Sequence, residues 1–338
     1  MEGVENIVLY TSFQRTFPYV MVLYGEGITS SMREMRPVRP GWFNAFRPWT
    51  LHGAVVPVML GGVIAYGDGH FNLWIFLLVL AGGCLLQSAS NLLNTYGDFV
   101  KGTDTVENSL RSPELVTGAL RPRSVLLAGL GCLALTALIG LVLIWHIGWG
   151  ILLFGIAGIF GAAFYTVGVS YKYRGMGLIS VFVLMGILMP MGTYYSLSGS
   201  LSWEVLWASI PNALLITAVL SGNETRDYLQ DRETGVGTFS SRFSYRFSLG
   251  LYIALCSAPF PVLVVLVASG ALPWPCLLAM AALPMLRSTV LNALAAAGDR
   301  PSNMSLVPMA FTLNWVFGAL LISGYIIAQQ FLTGAIYV

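Results

Sequence analysis

Nine apolar runs divide this chain, and its basic residues occupy only every second connection between them. The runs are 48–66, 72–94, 124–145, 149–170, 176–197, 203–222, 247–270, 273–290 and 306–331. Each is close to the ~20 residues that a helix needs to cross the hydrocarbon of a bilayer. Arg15, Arg33, Arg36, Arg39 and Arg47 precede the first run. Lys101, Arg111, Arg121 and Arg123 follow the second, and Lys172 and Arg174 follow the fourth. Arg226, Arg232, Arg242 and Arg246 follow the sixth, while Arg287 and Arg300 close the eighth and introduce the ninth. These are all 17 Lys and Arg residues, so the loops 67–71, 146–148, 198–202 and 271–272 and the tail after 331 carry none. The positive-inside rule then puts the N-terminus in the cytoplasm and the C-terminus outside. Adding or removing one early span would scatter the charges over both faces, so span count and charge pattern support each other. Strands are excluded as spanning elements, because an open sheet edge cannot be satisfied in lipid.

The expected fold is therefore an all-α integral membrane protein, a bundle of nine transmembrane helices. Only 9% of the 338 residues are charged and 56% are hydrophobic, against about 25% charged in soluble domains. With a mean hydropathy of +0.75, a soluble domain on a single anchor is excluded. A net charge of +2 points to no nucleic-acid partner. Cys84, Cys132, Cys256 and Cys276 lie inside apolar runs without a C-x-x-C pair and read as small core residues. Residues 1–46 form an N-terminal cytoplasmic segment and 47–338 the membrane domain. Residues 1–31 lack clear periodicity, a basic n-region and a small-residue cleavage site, so they do not read as a secretory signal. They are expected to be a partly disordered extension, with Met32 and Met35 as alternative starts.

The two longest inner connections, 95–123 and 223–246, carry two acidic motifs, N-L-L-N-T-Y-G-D-F-V-K-G-T-D (91–104) and N-E-T-R-D-Y-L-Q-D (223–231). They follow the second and sixth runs, four helices apart, which suggests two four-helix units of similar design plus one extra helix. Asn91, Asn94 and Asp98 are spaced i, i+3, i+7 and share one helical face. Lys101 and Gly102 break that pattern, and Asp104 returns in a loop. Asn223, Asp227 and Asp231 are spaced i, i+4, i+8 and are expected along one face of a helix extending from the sixth span. Four carboxylates at one rim would repel one another and take up protons unless cations were present. Mg²⁺ is bound by oxygen ligands, usually one or two carboxylates with water and substrate phosphate. Asp98, Asp104, Asp227 and Asp231 are therefore the candidate metal ligands for Mg²⁺ held against a diphosphate, with Asn91, Asn94 and Asn223 as supporting polar groups. Lys101, Lys172 and Arg226 lie on the same inner face, where they can hold a departing diphosphate.

At these motifs the chain resembles the UbiA superfamily of intramembrane aromatic prenyltransferases. The resemblance runs from about Arg47 to Val338. It covers R-P-W (47–49), the first motif, F-Y-T-V-G (164–168), Y-K-Y-R-G-M-G (171–177), G-T-Y-Y (192–195) and R-D-Y-L-Q-D-R-E-T-G (226–235). Within that superfamily the six-residue step from Asp98 to Asp104, in Y-G-D-x-x-K-G-x-D, is similar to the 1,4-dihydroxy-2-naphthoate prenyltransferases of menaquinone synthesis and their animal menaquinone-4-forming relatives. The resemblance implies a central cavity open sideways to lipid, a long polyprenyl diphosphate donor and Mg²⁺. It also implies that Lys172 binds diphosphate and that Tyr165 lies near the reacting carbon. Three positions depart from the naphthoate pattern. Leu178 stands where an acid is usual after G-x-G, Glu224 where the second motif often has Asn, and Gly237 where Lys commonly precedes Thr238.

The expected function is Mg²⁺-dependent transfer of a polyprenyl group to an aromatic acceptor, dihydroxynaphthoate, with loss of its carboxylate. A different aromatic acceptor, or cyclisation of the donor alone, is the alternative within the same chemistry. A secondary transporter is the alternative from another class, but transporters place ionisable groups near the bilayer midplane. The expected location is a membrane, as a multi-pass protein; in a bacterium this is the cytoplasmic membrane, with the site facing the cytoplasm.

Overall fold

The computed structural model describes residues 40–104 and 112–334, with side chains through 330. Among the described residues the chain is helical throughout its regular structure, without strands. A short helix, Trp42–Phe46, precedes the bundle. The apolar helices are α1 (His52–Gly67), α2 (Leu73–Val100), α3 (Pro122–Ile147), α4 (Ile151–Ala163) and α5 (Gly177–Ser198). They continue with α6 (Trp203–Arg226), α7 (Tyr245–Ala268), α8 (Trp274–Ala295) and α9 (Arg300–Gly334). Among the described residues eight helical segments are long and apolar enough to cross a membrane, the first of them Trp42–Gly67, which joins the short helix to α1; α4 is shorter at 13 residues. The fourth expected span, 149–170, is thus helical only in its first part. Beyond Ala163 the chain leaves the helix, Ser170 and Gly168 take left-handed backbone, and a 3₁₀ turn covers Tyr171–Arg174. In the other direction, α2 runs six residues past the expected end of the second span at 94, because the polar motif continues the helix.

The buried side chains form two apolar clusters. One joins α1 to α6–α9 and includes Leu60, Leu215, Tyr252, Leu263, Leu313 and Phe317. The other joins α2, α3 and α4 to the helix Trp42–Phe46 through Ala45, Leu92, Leu93, Leu133 and Ala162. α6 is the most enclosed helix, with α5 packed along it. The contact is close because Gly186 has no side chain: a Cβ there would fall 2.3 Å from that of Ala213. Gly186 lies in a π-helical segment, Phe182–Leu188, that widens α5 at this crossing. Asn212 of α6 accepts a buried hydrogen bond from Asn314 of α9 at 3.0 Å, the kind of polar pair that joins helices where lipid offers no alternative partner.

Opposite ends of the bundle differ. Trp74, Trp145, Trp149, Trp203 and Trp274 are exposed beside the connections that lack Lys and Arg. This is the arrangement of an interfacial aromatic belt. Leu127, Leu130, Leu138 and Leu141 expose one face of α3, as a lipid-facing stripe requires. The acidic motifs lie at the other end.

Candidate active site

The first motif is shaped by how α2 stops. Gly102 has φ 72, the left-handed conformation that glycine adopts without a Cβ penalty. Its N–H reaches the Phe99 carbonyl at 3.0 Å, and the Thr103 N–H reaches the Asp98 carbonyl at 3.0 Å. These two bonds are a Schellman closure. They fold the chain back so that the Asp104 N–H also donates to the Asp98 carbonyl, at 3.3 Å. The second motif ends in the same way. α6 stops at Arg226, Asp227 sits at the junction with φ −91 and ψ 9, and a short helix covers Tyr228–Glu233. Gly235, with φ 70, closes it: its N–H goes to the Arg232 carbonyl at 3.3 Å, and the Val236 N–H to that of Asp231 at 2.7 Å. Asn223, Asp227 and Asp231 therefore follow a helix that is interrupted at Asp227, not one uninterrupted helix.

The two motifs meet. The Gln230 amide donates to the Thr103 carbonyl at 3.3 Å. Asp104 lies within the electrostatic reach of Asp98 and Asp227, and Lys172 within that of Asp98, Asp104 and Asp231. The turn after α4 supplies Lys172 by bonding back on itself, with the Lys172 N–H on the Tyr165 carbonyl at 3.0 Å. Thr166 fixes the turn to α2 through the Leu93 carbonyl at 3.2 Å. The Lys172 ammonium then donates to Asp98 Oδ2 at 3.0 Å, Asp98 Oδ1 at 3.2 Å and Asn94 Oδ1 at 3.1 Å. The Tyr173 hydroxyl donates to Asp98 Oδ1. Lys101 lies over the Tyr173 ring, 3.9 Å from its centroid, and Lys172 lies 6.0 Å from the Tyr165 centroid.

The remaining candidate residues have distinct surroundings. Arg226 grips Asp227 through Nε at 2.6 Å and a second donor on the other carboxylate oxygen, so its guanidinium neutralises that carboxylate in this form. Asp231 accepts from the Thr238 hydroxyl at 2.9 Å. The Asn91 amide donates to the Phe46 carbonyl at 2.9 Å and the Thr50 hydroxyl at 2.8 Å, which anchors the segment before α1. There Arg47, at φ 50, reaches the Ser112 hydroxyl at 2.5 Å. Asn223 contributes its carbonyl to the Asp227 N–H at 3.0 Å. Tyr173, Thr238 and Gln230 are site residues that motif spacing did not single out; the visible signal for Tyr173 was its place beside Lys172 in one tight turn.

Burial and neighbouring charge shape the titration of these groups. Burial raises the Asp104 carboxyl to about 6, and Asp98 adds to the rise, while Arg47 and Lys172 oppose it. Burial raises Asp231 to about 7, opposed by the Thr238 hydrogen bond and reinforced by Asp227. Burial alone would lower Lys172, but the Asp98 carboxylate outweighs it and holds the ammonium above its usual value. Among the described residues no three His, Cys, Asp or Glu side chains form a ready metal cage. The donor set nevertheless fits Mg²⁺, which prefers one or two carboxylates with water and phosphate to an all-protein cage. Two carboxyls raised by burial and by neighbouring carboxylates, Asp98 and Asp227 beside Asp104, and Asp227 and Glu224 beside Asp231, are groups that a divalent cation would relieve.

The departures at 178 and 224 are neighbours in space. Leu178 is buried, and the Glu224 carboxylate lies against the preceding Gly177. An open apolar cavity of about 510 Å³ between α4 and α5, lined by Leu153, Ile156, Phe160, Ile179 and Leu184, adjoins the Lys172 turn through Tyr171.

Residues 54–315 match the family described as UbiA prenyltransferase family. The chain is 32% identical over 228 residues to the UbiA prenyltransferase domain-containing protein 1 homolog of Drosophila melanogaster. That match covers 64% of this chain and 61% of the relative, so the chain spans less than two thirds of the relative's length. It is 37% identical over 210 residues to the 1,4-dihydroxy-2-naphthoate octaprenyltransferase of Escherichia coli (strain K12), covering 60% of this chain and 68% of that one. In fold it is similar to a UbiA homolog from Archaeoglobus fulgidus bound to GPP and Mg²⁺, with a TM-score of 0.57 at 15% identity, covering 85% of this chain and 99% of that one.

Proposed function

The chain belongs to the UbiA prenyltransferase family, and from that premise we propose that it transfers a polyprenyl group from polyprenyl diphosphate to 1,4-dihydroxy-2-naphthoate. The product is demethylmenaquinone in its quinol form. The observation that carries the reaction class is the meeting of Lys172, Asp98 and Asp104 with the second acidic motif at one end of a membrane bundle. The acceptor rests on the match to the Escherichia coli octaprenyltransferase and on the six-residue step between Asp98 and Asp104.

Asp98, Asp104, Asp227 and Asp231 would hold Mg²⁺, with Asn91, Asn94 and Asn223 beside them. Bound Mg²⁺ would neutralise charge on the diphosphate as it departs. Lys172, kept protonated by Asp98, presents a fixed positive charge to the same group; Lys101 adds to it, and so would Arg226 once Mg²⁺ takes over Asp227. The allylic C–O bond breaks and its electron pair leaves with the diphosphate. The Tyr165 ring face stabilises positive charge at the allylic carbon. An electron-rich ring carbon of the acceptor bonds to that carbon. The carboxylate leaves as CO₂, its bonding pair remaining with the ring. Apolar walls keep water from the allylic cation. In this reading α4 also crosses and brings the number of spans to nine, the N-terminus and the site face the cytoplasm, and the tryptophan-bearing end faces outward.

The test is transfer of radiolabel from polyprenyl diphosphate to dihydroxynaphthoate in membranes holding the protein. The double variant D98A/D227A is expected to lose roughly a hundred-fold or more. Full activity in that variant contradicts the site. Label entering a cyclic hydrocarbon with donor alone contradicts the acceptor.

A further inference from the structure

Glu224 is a carboxylate that this chemistry leaves without a task. It lies in α6, three residues before Asp227, and is 3% exposed. Its Oε2 accepts the Ser240 backbone N–H at 2.9 Å. Its Oε1 is sealed from solvent and has no hydrogen-bond partner within bonding geometry among the described residues, although the Ser240 hydroxyl, also unpartnered, lies close enough to the carboxylate to favour its charged form. An unpaired carboxylate oxygen in such a place is costly, and an unsatisfied buried polar group calls for an explanation.

The surroundings of Oε1 supply one. Gly177, the first residue of α5, has no side chain between this oxygen and the Tyr165 hydroxyl. A Cβ built on Gly177 would lie 3.2 Å from Glu224 Oε1 and 3.6 Å from the Tyr165 hydroxyl oxygen. The carboxylate and the phenol therefore converge on one small space. Tyr165 connects that space to the Lys172 side of the site, since Lys172 stands 6.0 Å from its ring centroid. An acceptor ring placed beside Tyr165 would bring its own polar edge to Glu224.

We propose that Glu224 Oε1 accepts a hydrogen bond from a hydroxyl of the aromatic acceptor and so orients the ring for attack. The ligand class is a hydroxyarene with a free O–H. Gly177 puts no side chain in the way of that approach. A carboxylate acceptor makes the hydrogen bond charge-assisted. An acceptor whose hydroxyl is methylated leaves Oε1 unpaired and is rejected, as sites built to bond a hydroxyl reject analogues without it. The proposal rests on the aromatic prenyltransferase reading above.

The experiment uses the full chain, purified in detergent. The KM for acceptor, the KM for donor and kcat are measured with dihydroxynaphthoate and with its two mono-O-methyl ethers. Glu224→Gln keeps an oxygen for Ser240 and puts an amide where Oε1 stood. It is expected to raise the acceptor KM about ten- to hundred-fold and to leave the donor KM within about two-fold. The wild type should reject one mono-ether by a similar factor, and Glu224→Gln should lose that preference. Equal changes in both KM values, or an unchanged acceptor KM with discrimination intact, overturns the assignment. Should Glu224→Gln fail to fold, Gly177→Ala fills the same space with the carboxylate intact. It must also raise the acceptor KM selectively, and an unchanged acceptor KM overturns the assignment. A wild type that prenylates no hydroxyarene overturns the prenyl-transfer reading and this assignment together. An active wild type with an indifferent Glu224→Gln overturns this assignment alone.

Discussion

Metal binding to this site should depend steeply on pH. In the proposed site Mg²⁺ would compete with protons for Asp104 and Asp231, whose carboxyls are raised to about 6 and about 7. At pH 6 both are ionised together in only about 5% of molecules, and at pH 8 in about 90%. Affinity for a divalent ion held by both should therefore rise about twenty-fold over that interval. Asp231→Asn removes the upper step, leaving Asp104 to change by about two-fold, alongside a lower absolute affinity. The assay is calorimetric titration of Mg²⁺ or Mn²⁺ into the purified protein without donor, because diphosphate itself titrates near neutrality. The sign extends to stability. Both groups hold their protons more tightly folded than unfolded, so their contribution is full below about pH 4 and is lost as pH rises through 6 and 7. These two groups should make the metal-free protein melt lower at pH 8 than at pH 6, and saturating Mg²⁺ should offset that loss. An affinity that is flat from pH 6 to 8, or stronger at pH 6, refutes the reasoning.

Other perturbations follow from particular contacts. Lys172→Met removes the ammonium shared by Asp98 and Asn94, and kcat/KM for prenyl transfer should fall roughly a hundred- to a thousand-fold. Thr238→Val deletes the hydrogen bond that holds Asp231 down, so the rise of metal affinity with pH should move to higher pH in the same titration. Gly186→Ala forces a Cβ to within 2.3 Å of that of Ala213; the helices must part, at a cost of about 1–3 kcal/mol, and an unchanged thermal unfolding midpoint would contradict the close crossing.

The bundle and one half of the site could be read from sequence for simple reasons. Span length and charge alternation are one-dimensional signals. Asn94 and Asp98, four residues apart on α2, share a face in any helix. Gly102 and Gly235 also stand where glycine ends a helix, and Asp104 was correctly placed in the loop beyond. What sequence obscured depends on backbone breaks and distant partners. Asn223, Asp227 and Asp231 keep helical spacing, yet the helix is interrupted at Asp227. At that break the Arg226 guanidinium lies on the neighbouring Asp227, a contact that the spacing of a regular helix does not report. The stretch after Ala163 is apolar enough to resemble a span, but its left-handed residues at 168 and 170 turn the chain and present Lys172 and Tyr173 to Asp98. Glu224 meets Ser240 and Gly177 only through tertiary folding, and no spacing rule reports such a contact.

The account turns on four aspartates from two distant motifs sharing bound divalent ions. Iron-directed cleavage tests it most directly: Fe²⁺ replaces Mg²⁺ in the purified protein with a non-hydrolysable donor analogue, and ascorbate with peroxide cuts the backbone beside the bound ion. Cuts near both 98–104 and 227–231, suppressed by excess Mg²⁺ and lost from both motifs in the Asp98→Asn variant, are the predicted result. Cuts confined to one motif, or cuts at the second that persist unchanged without Asp98, would contradict it.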